Sequence, residues 1–244
     1  MKIAEQAAEQ AMAVNCPESE VYNRLLRLDG KHILELGCGS AEITRDIATS
    51  GTDRKITALE VDEIAHEKNL QITDLPNVNF GLSGAQAIPL PDDSVDIVFM
   101  FKSLHHVPLP LMDISMQEIH RVLRPGGLAY LSEPVFAGAF NEILRLFHDE
   151  QRVREAAFET IKKAIDAGLF RLVEEIFFNS PMCFENFAEF EENTINATHS
   201  PHSLDKDLYR LVKQRFDEHM SDDGAHFLMP MRVDLLASLP DHAD

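Results

Sequence analysis

The sequence predicts an α/β fold: a Rossmann-like, doubly wound, seven-stranded and mostly parallel sheet with helices on both faces and a helical insertion after strand five. Three observations carry this reading. The first half alternates short apolar runs with amphipathic stretches, the pattern of parallel strands joined by covering helices. The first apolar run opens through a glycine turn, Gly37-Cys38-Gly39, into a helical stretch. Beyond Pro134 the apolar residues shift to helical spacing before strand-like runs return.

Taken in order, strands are predicted over His32 to Leu36, Lys55 to Glu60, Val78 to Gly81, Val95 to Met100 and Leu128 to Ser132, each ending in a polar or glycine-rich turn. Helices fit between them over Ala41 to Ser50, Glu63 to Gln71 and Leu111 to Leu123, the last stopped by the turn Arg124-Pro125-Gly126-Gly127. In 138–168, Phe140, Ile143, Leu144 and Phe147, then Val153, Ala157, Ile161 and Ile165, recur at helical spacing. Leu169 to Phe178 reads as a sixth strand, and Phe187 to Ala197 and Leu204 to His219 read as helices. Phe227 to Leu236 reads as a last, antiparallel strand, although Pro230 is poorly tolerated within a central one. Residues 1–244 are thus expected to form a single domain, with the 138–168 insertion walling a ligand pocket.

Composition narrows the function. With 45% hydrophobic residues, 11 glycines and 12 prolines, the chain is globular and able to bury a core. Lys and Arg number 22 against 41 Asp and Glu, a formal charge of -19 with no basic stripe to offset it, which disfavours nucleic acid and anionic membranes as partners. Cys16, Cys38 and Cys183 show no paired spacing, and reduced thiols in a cytoplasmic protein are expected. The opening MKIAEQAAEQAMAV alternates alanine with Glu and Gln, where an export signal needs a continuous apolar stretch. No apolar run reaches the length of a membrane span.

The segment His32 to Thr44, HILELGCGSAEIT, carries the most chemistry. Gly37 and Gly39 leave the backbone bare for a ligand, and the first turn of the next helix offers free N–H donors. About nineteen residues on, the second strand ends at Glu60, followed by Asp62, where a carboxylate can accept both hydroxyls of a ribose. Glu60 at the strand end is the better placed, since Asp62 can cap the following helix. A dinucleotide site would want a third glycine where Glu42 stands. Glu35 and Glu42 repel a pyrophosphate but suit a cationic sulfonium bearing an amino group.

With its LELGCGS, ALEVD, GAQAIPLPDDSVDIVF, SLHHV and VLRPGGLAYLSEP segments in this order, the chain resembles the class I S-adenosylmethionine-dependent methyltransferases over roughly residues 30 to 135. The resemblance implies S-adenosyl-L-methionine as cofactor, with Glu35, Gly37 and Gly39 at its methionine end and Glu60 at the ribose. It also implies Ala85 and Gln86 at the adenine edge, and the backbone of Phe101 and Lys102 at the amino group. The family often has an acidic residue where Gly84 stands, so here Gln86 or a backbone carbonyl must hold the adenine amino group. The activity implied is methyl transfer to an oxygen, nitrogen or carbon atom of a small, partly apolar metabolite. A non-catalytic module binding the same cofactor, or methylation of protein or RNA, are the competing readings.

Methyl transfer from a sulfonium needs few catalytic groups, because the leaving group is already activated. His106 and His105 follow strand four, where the acceptor would meet the donor methyl, and a histidine can take a proton at neutral pH. Packing within the loop is the alternative role for the pair. Glu133, at the end of strand five, is a further candidate base. No metal is expected: His199 with His202, or His148 with Asp149 and Glu150, lacks a convincing ligand set.

Overall fold

The computed structural model describes residues 14–196 and 202–240. Residues 1–13, His199 and the end of the expected helix at Ala197 lie outside them. Strands β1 (His32–Leu36), β2 (Lys55–Glu60), β3 (Val78–Leu82), β4 (Val95–Phe101), β5 (Leu123–Pro134), β6 (Phe170–Phe184), β7 (Met220–Ser221) and β8 (Gly224–Ser238) form one sheet. Its order is β3-β2-β1-β4-β5-β8-β6, with β7 paired to β8. The first five strands run parallel, and β8 lies antiparallel between β5 and β6. Eight strands stand where seven were expected. The extra one, β7, is a two-residue strand folded back on β8 and too short to leave a periodic signature.

Alternation along the buried strands sends successive residues to opposite faces. Ile33, Phe99, Phe101 and Tyr130 pack into one core layer, and Leu34, Leu36, Val98, Met100 and Leu131 into the other. Strands covered on both sides read as continuous apolar runs, which is why β1, β2 and β4 were legible. One layer is closed by helix α1 (Glu18–Leu25), whose Tyr22 sets its ring against Phe99 and Tyr130. On the other face, α4 (Met112–Val122) buries Met112, Ser115, Met116, Ile119 and Val122, a stripe at helical spacing.

Between these elements run α2 (Glu42–Thr49) and α3 (Glu63–Asn69). The expected insertion resolves into α5 (Ala139–Leu144) and α6 (Gln151–Asp166), joined by a bend at 145–150. Ala157, Ile161 and Ala164 of α6 join the core layer of α4. The next helical segment is α7 (Phe187–Phe190), continued by a π-helical turn over Glu191–Ile195, and α8 (Lys206–Asp217) follows. Beyond the end of β5, the β6–β8 pair extends with β7 at its tip, and there Phe140, Phe184, Phe190, Phe216 and Phe227 form an aromatic cluster.

Two departures at strand five have local causes. Helix α4 stops at Val122, but the Arg124-Pro125-Gly126-Gly127 segment is an excursion from β5 rather than a turn before it. Partners jump from Val95 with Leu123 to Ile97 with Leu128. Pro230 does sit inside β8, opposite Asn179. Asn179 turns its own N–H and C=O to Val14 and Cys16, so β6 asks no hydrogen bond of Pro230. On the other side β5 has ended at Pro134, and the Val135 carbonyl takes its N–H from Ala137 and from Arg154 instead.

Among the described residues no helix is long and apolar enough to cross a membrane. One backbone feature bears on stability: Ala41, at the start of α2, has φ 62°, in the left-handed region. A non-glycine residue there carries about 1–2 kcal/mol of strain, more than glycine's added chain entropy of about 0.5–1 kcal/mol. Ala41→Gly is therefore expected to raise the free energy of unfolding by up to about 1 kcal/mol, read from urea denaturation.

Candidate active site

The glycine turn is held by the end of the neighbouring strand. The Gly37 and Cys38 N–H groups both donate to the Leu59 carbonyl, at 2.8 and 3.1 Å. The Gly39 N–H donates to Glu60 Oε2 at 2.6 Å, while the other carboxylate oxygen accepts from the Val61 and Asp62 N–H groups at 2.7 and 2.9 Å. Glu60 thus ties the turn to β2. Asp62 caps α3, accepting from the Ile64 and Ala65 N–H groups, the role that made Glu60 the preferred ribose ligand. The buried Asn69 amide donates to the Gly39 carbonyl at 2.8 Å from beneath.

Both glycines are required for different reasons. Gly37 has φ 74°, and a Cβ there would come within 2.8 Å of the Ser103 Cβ. Gly39 has φ 53° and a Cβ there would meet nothing within 4 Å, so the space over the turn is open. Ser103 also donates its hydroxyl to the Leu36 carbonyl at 2.8 Å, and the Lys102 N–H donates to the Ser132 carbonyl at 2.7 Å. The carboxyl ends of β1, β4 and β5 therefore meet at one place, where Lys102 is held in the left-handed region at φ 53°.

Glu35 lies at this junction, 2% exposed, and accepts a hydrogen bond from the Thr44 hydroxyl at 2.7 Å. Burial, with a further push from Glu60, lifts its carboxyl to about 7 against the opposing Thr44 bond. Cys38 is buried and its thiol is pushed up by burial and by Glu35 and Glu60, as suits a filler rather than a nucleophile. At the third strand, Gly84 leaves room for Gln86: a Cβ on Gly84 would lie 2.3 Å from the Gln86 Oε1. The Gln86 amide thus lies against the position where an acidic side chain was missing. Ala85 is buried in the core, which leaves only its backbone for a ligand.

A second cluster stands after β4, on the short 3-10 turn Leu104–His106. Glu133 of β5 accepts from the Leu104 N–H at 2.9 Å and binds His105 Nδ1. His105 is buried, and its other nitrogen, Nε2, lies 3.6 Å from Glu150 Oε1 at the start of α6. Burial favours the neutral ring, but the two carboxylates outweigh it and hold His105 up at about 9. Both acids are held below the usual carboxylate range by His105 against their own burial, Glu150 with help from Arg154. His106 is exposed, its ring 4.1 Å from that of His105.

Sequence reasoning missed several members of these clusters. Arg154 donates to Glu150 Oε2 at 2.6 Å and to the Asn141 Oδ1 at 3.1 Å, tying α6 to α5 across the bend that carries Glu150. The Glu150–Arg154 spacing is that of a helical ion pair and was readable as one, but nothing local marks it as buried. Glu18 of α1, half-buried and accepting from the Tyr130 hydroxyl at 2.5 Å, has its carboxyl pushed up by desolvation. Of the groups set aside as metal ligands, His148 does reach Glu150 at 2.9 Å, while Asp149 caps the Gln151 N–H. A surface cleft lined by Asp92, Arg121 and Pro240 contains none of the expected site residues.

Residues 33–127 match the family model described as methyltransferase domain. Over these residues the chain is similar to that domain. Over 140 residues it is 34% identical to a probable S-adenosylmethionine-dependent methyltransferase of Mycolicibacterium smegmatis, covering 54% of this chain and 50% of that one. It is 33% identical over 134 residues to the 27-O-demethylrifamycin SV methyltransferase of Amycolatopsis mediterranei, covering 52% and 46%. The chain thus spans about half the length of these curated relatives. A solved S-adenosylmethionine-dependent methyltransferase from Methanosarcina mazei superposes with a TM-score of 0.57 at 16% identity, covering 93% of this chain and 100% of that one. At that identity the likeness concerns the fold. The family match begins in β1 and ends in the strand-five excursion, so it contains the glycine turn, Glu60, Gln86, His105 and His106.

Proposed function

We propose that the protein transfers the methyl group of S-adenosyl-L-methionine to an oxygen, nitrogen or carbon atom of a small, partly apolar metabolite. The observation that carries this reading is the glycine turn clamped by Glu60, with open space over Gly39 and the buried Glu35 beside it. The donor set fits the cofactor: a carboxyl poised near neutrality for an amino group, a strand-end carboxylate for a ribose, and an amide at the adenine edge. Glu35 and the backbone of Gly37, Gly39, Phe101 and Lys102 hold the methionine end in this reading. Glu60 holds the ribose, with Asp62 supporting the turn, and Ala85 and Gln86 border the adenine.

When bound, the cofactor supplies an electrophilic methyl on a leaving group that needs no acid. The protein's work is to align the acceptor and take up its proton. His106 is the ring with access to an acceptor, being exposed, whereas His105 is enclosed by Glu133 and Glu150 and positions it. The 138–168 segment contributes the pocket wall through Phe140 and the bend carrying Glu150.

Calorimetry with S-adenosylhomocysteine tests the cofactor assignment. One-to-one binding is expected, with none for a nicotinamide dinucleotide. Glu60→Ala is expected to weaken it by about 1–3 kcal/mol, the range for a hydrogen bond to a charged group. Gly39→Val is expected to abolish it by filling the open space. Unchanged binding in both folded variants would place the cofactor elsewhere.

A further inference from the structure

His105, His106 and Glu150 each offer one ligand atom, and the three atoms lie within 4.8 Å of one another. His105 Nδ1 is taken by Glu133, which fixes Nε2 toward Glu150 Oε1. Their separation of 3.6 Å is too long for a hydrogen bond. It is close to the roughly 3.4 Å between two ligands that sit about 2.1 Å from one tetrahedral ion. We propose that His105 Nε2, a ring nitrogen of His106 and Glu150 Oε1 bind a single first-row divalent transition ion of the zinc class.

The surroundings are those that orient metal ligands. A carboxylate on the far nitrogen of a ligating histidine sets its tautomer and raises its basicity, and Glu133 occupies that place. The two Arg154 bonds hold the other oxygen of Glu150, at 2.6 and 3.2 Å, and so aim Oε1 at the histidines. On binding, Oε1 exchanges its contact with His148 for the ion, and His105 Nε2 releases its proton to solvent as it takes up the metal. Two imidazoles and one carboxylate suit zinc and its neighbours rather than magnesium or calcium, which prefer oxygen. The exposed His106 supplies the approach from solvent, and the two buried groups supply the fixed part of the site. If the methyltransfer reading holds, ligation consumes the His106 nitrogen that receives the acceptor's proton. The ion-loaded form and the turnover-competent form then exclude each other.

The test uses the full chain without a histidine tag. Zinc chloride is titrated by calorimetry and cobalt(II) by visible absorption, with one ion per chain expected in both. Loss of a residue that merely orients a ligand weakens metal binding 10- to 100-fold, so His106→Ala, an exposed change, is expected to weaken it by more than about a hundredfold. Glu150→Gln should do the same, its folding checked by circular dichroism. Cys183→Ser is the control, because Cys183 faces His226 across β6 and β8 and offers zinc a rival thiol and imidazole. Absence of one-to-one binding, binding indifferent to His106→Ala, or binding lost in Cys183→Ser would each overturn the proposal. S-adenosylhomocysteine binding, measured on the same samples, judges the methyltransfer reading separately.

Discussion

Replacing His106 with alanine is expected to lower methyl transfer by about a hundredfold to ten-thousandfold, the usual contribution of a positioned base, while S-adenosylhomocysteine affinity stays at the wild-type value. The ring is exposed, so the variant should fold and melt normally. His105→Ala is not an equivalent experiment. His105 is buried between Glu133 and Glu150, and removing it leaves two carboxylates without their shared partner. Breaking such a buried ion pair costs about 3–5 kcal/mol, so His105→Ala is expected to show lost stability first and lost activity as its consequence. Near-normal turnover in a folded His106→Ala protein would remove the base from the mechanism. The acceptor would then be one that is already a nucleophile, and orientation would suffice.

Cofactor affinity is expected to fall as pH drops below about 7, by up to about tenfold per pH unit, and to level off above it. The cause is Glu35. Its buried carboxyl holds a proton up to about 7, and a ligand bearing an amino group and a sulfonium favours the ionised form. Calorimetry at several pH values should show proton release at pH 6 and little at pH 8. The same shift sets a stability trend of opposite use. A carboxyl raised from 4.5 to about 7 in the folded chain contributes stability that is full below the unfolded value and is lost as pH rises through about 7. The amount is on the order of 3 kcal/mol as an upper bound. Glu35→Gln should flatten the affinity profile, weaken binding at pH 8, and melt higher than wild type there. A profile unchanged by the substitution would separate Glu35 from the ligand.

Strands β1, β2 and β4 were legible because they are buried on both faces and so form largely apolar runs. The glycine turn was legible because only a bare backbone satisfies φ 74° at Gly37 with Ser103 packed against it. What escaped reading depends on partners far along the chain. Asn69, Arg154 and Glu18 look like ordinary surface residues of short helices, and only their docking against Gly39, Glu150 and Tyr130 makes them part of a site. Helix α1 is eight residues long and joins the core chiefly through Val21 and Tyr22, too little for a periodic signal. Glu60 was singled out for a ligand, yet its visible role is to fasten the turn that would hold that ligand. A residue can be found by its position at a strand end while its second role stays hidden.

The place of β8 also has a consequence for how the chain acquires its structure. Leu128 to Pro134 of β5 and nearly the whole of β6 pair with β8, and the two strands reach each other only through it. During synthesis, β5 and β6 are both complete while the strand that belongs between them is still unmade. Until residue 238 has been added, the edges of β5 and β6 expose unpaired N–H and C=O groups, and Met231, Val233, Leu235 and Leu236 are missing from both core layers. Folding of this half is therefore late and dominated by contacts distant in sequence, the regime in which folding is slow and open strand edges invite association with other chains.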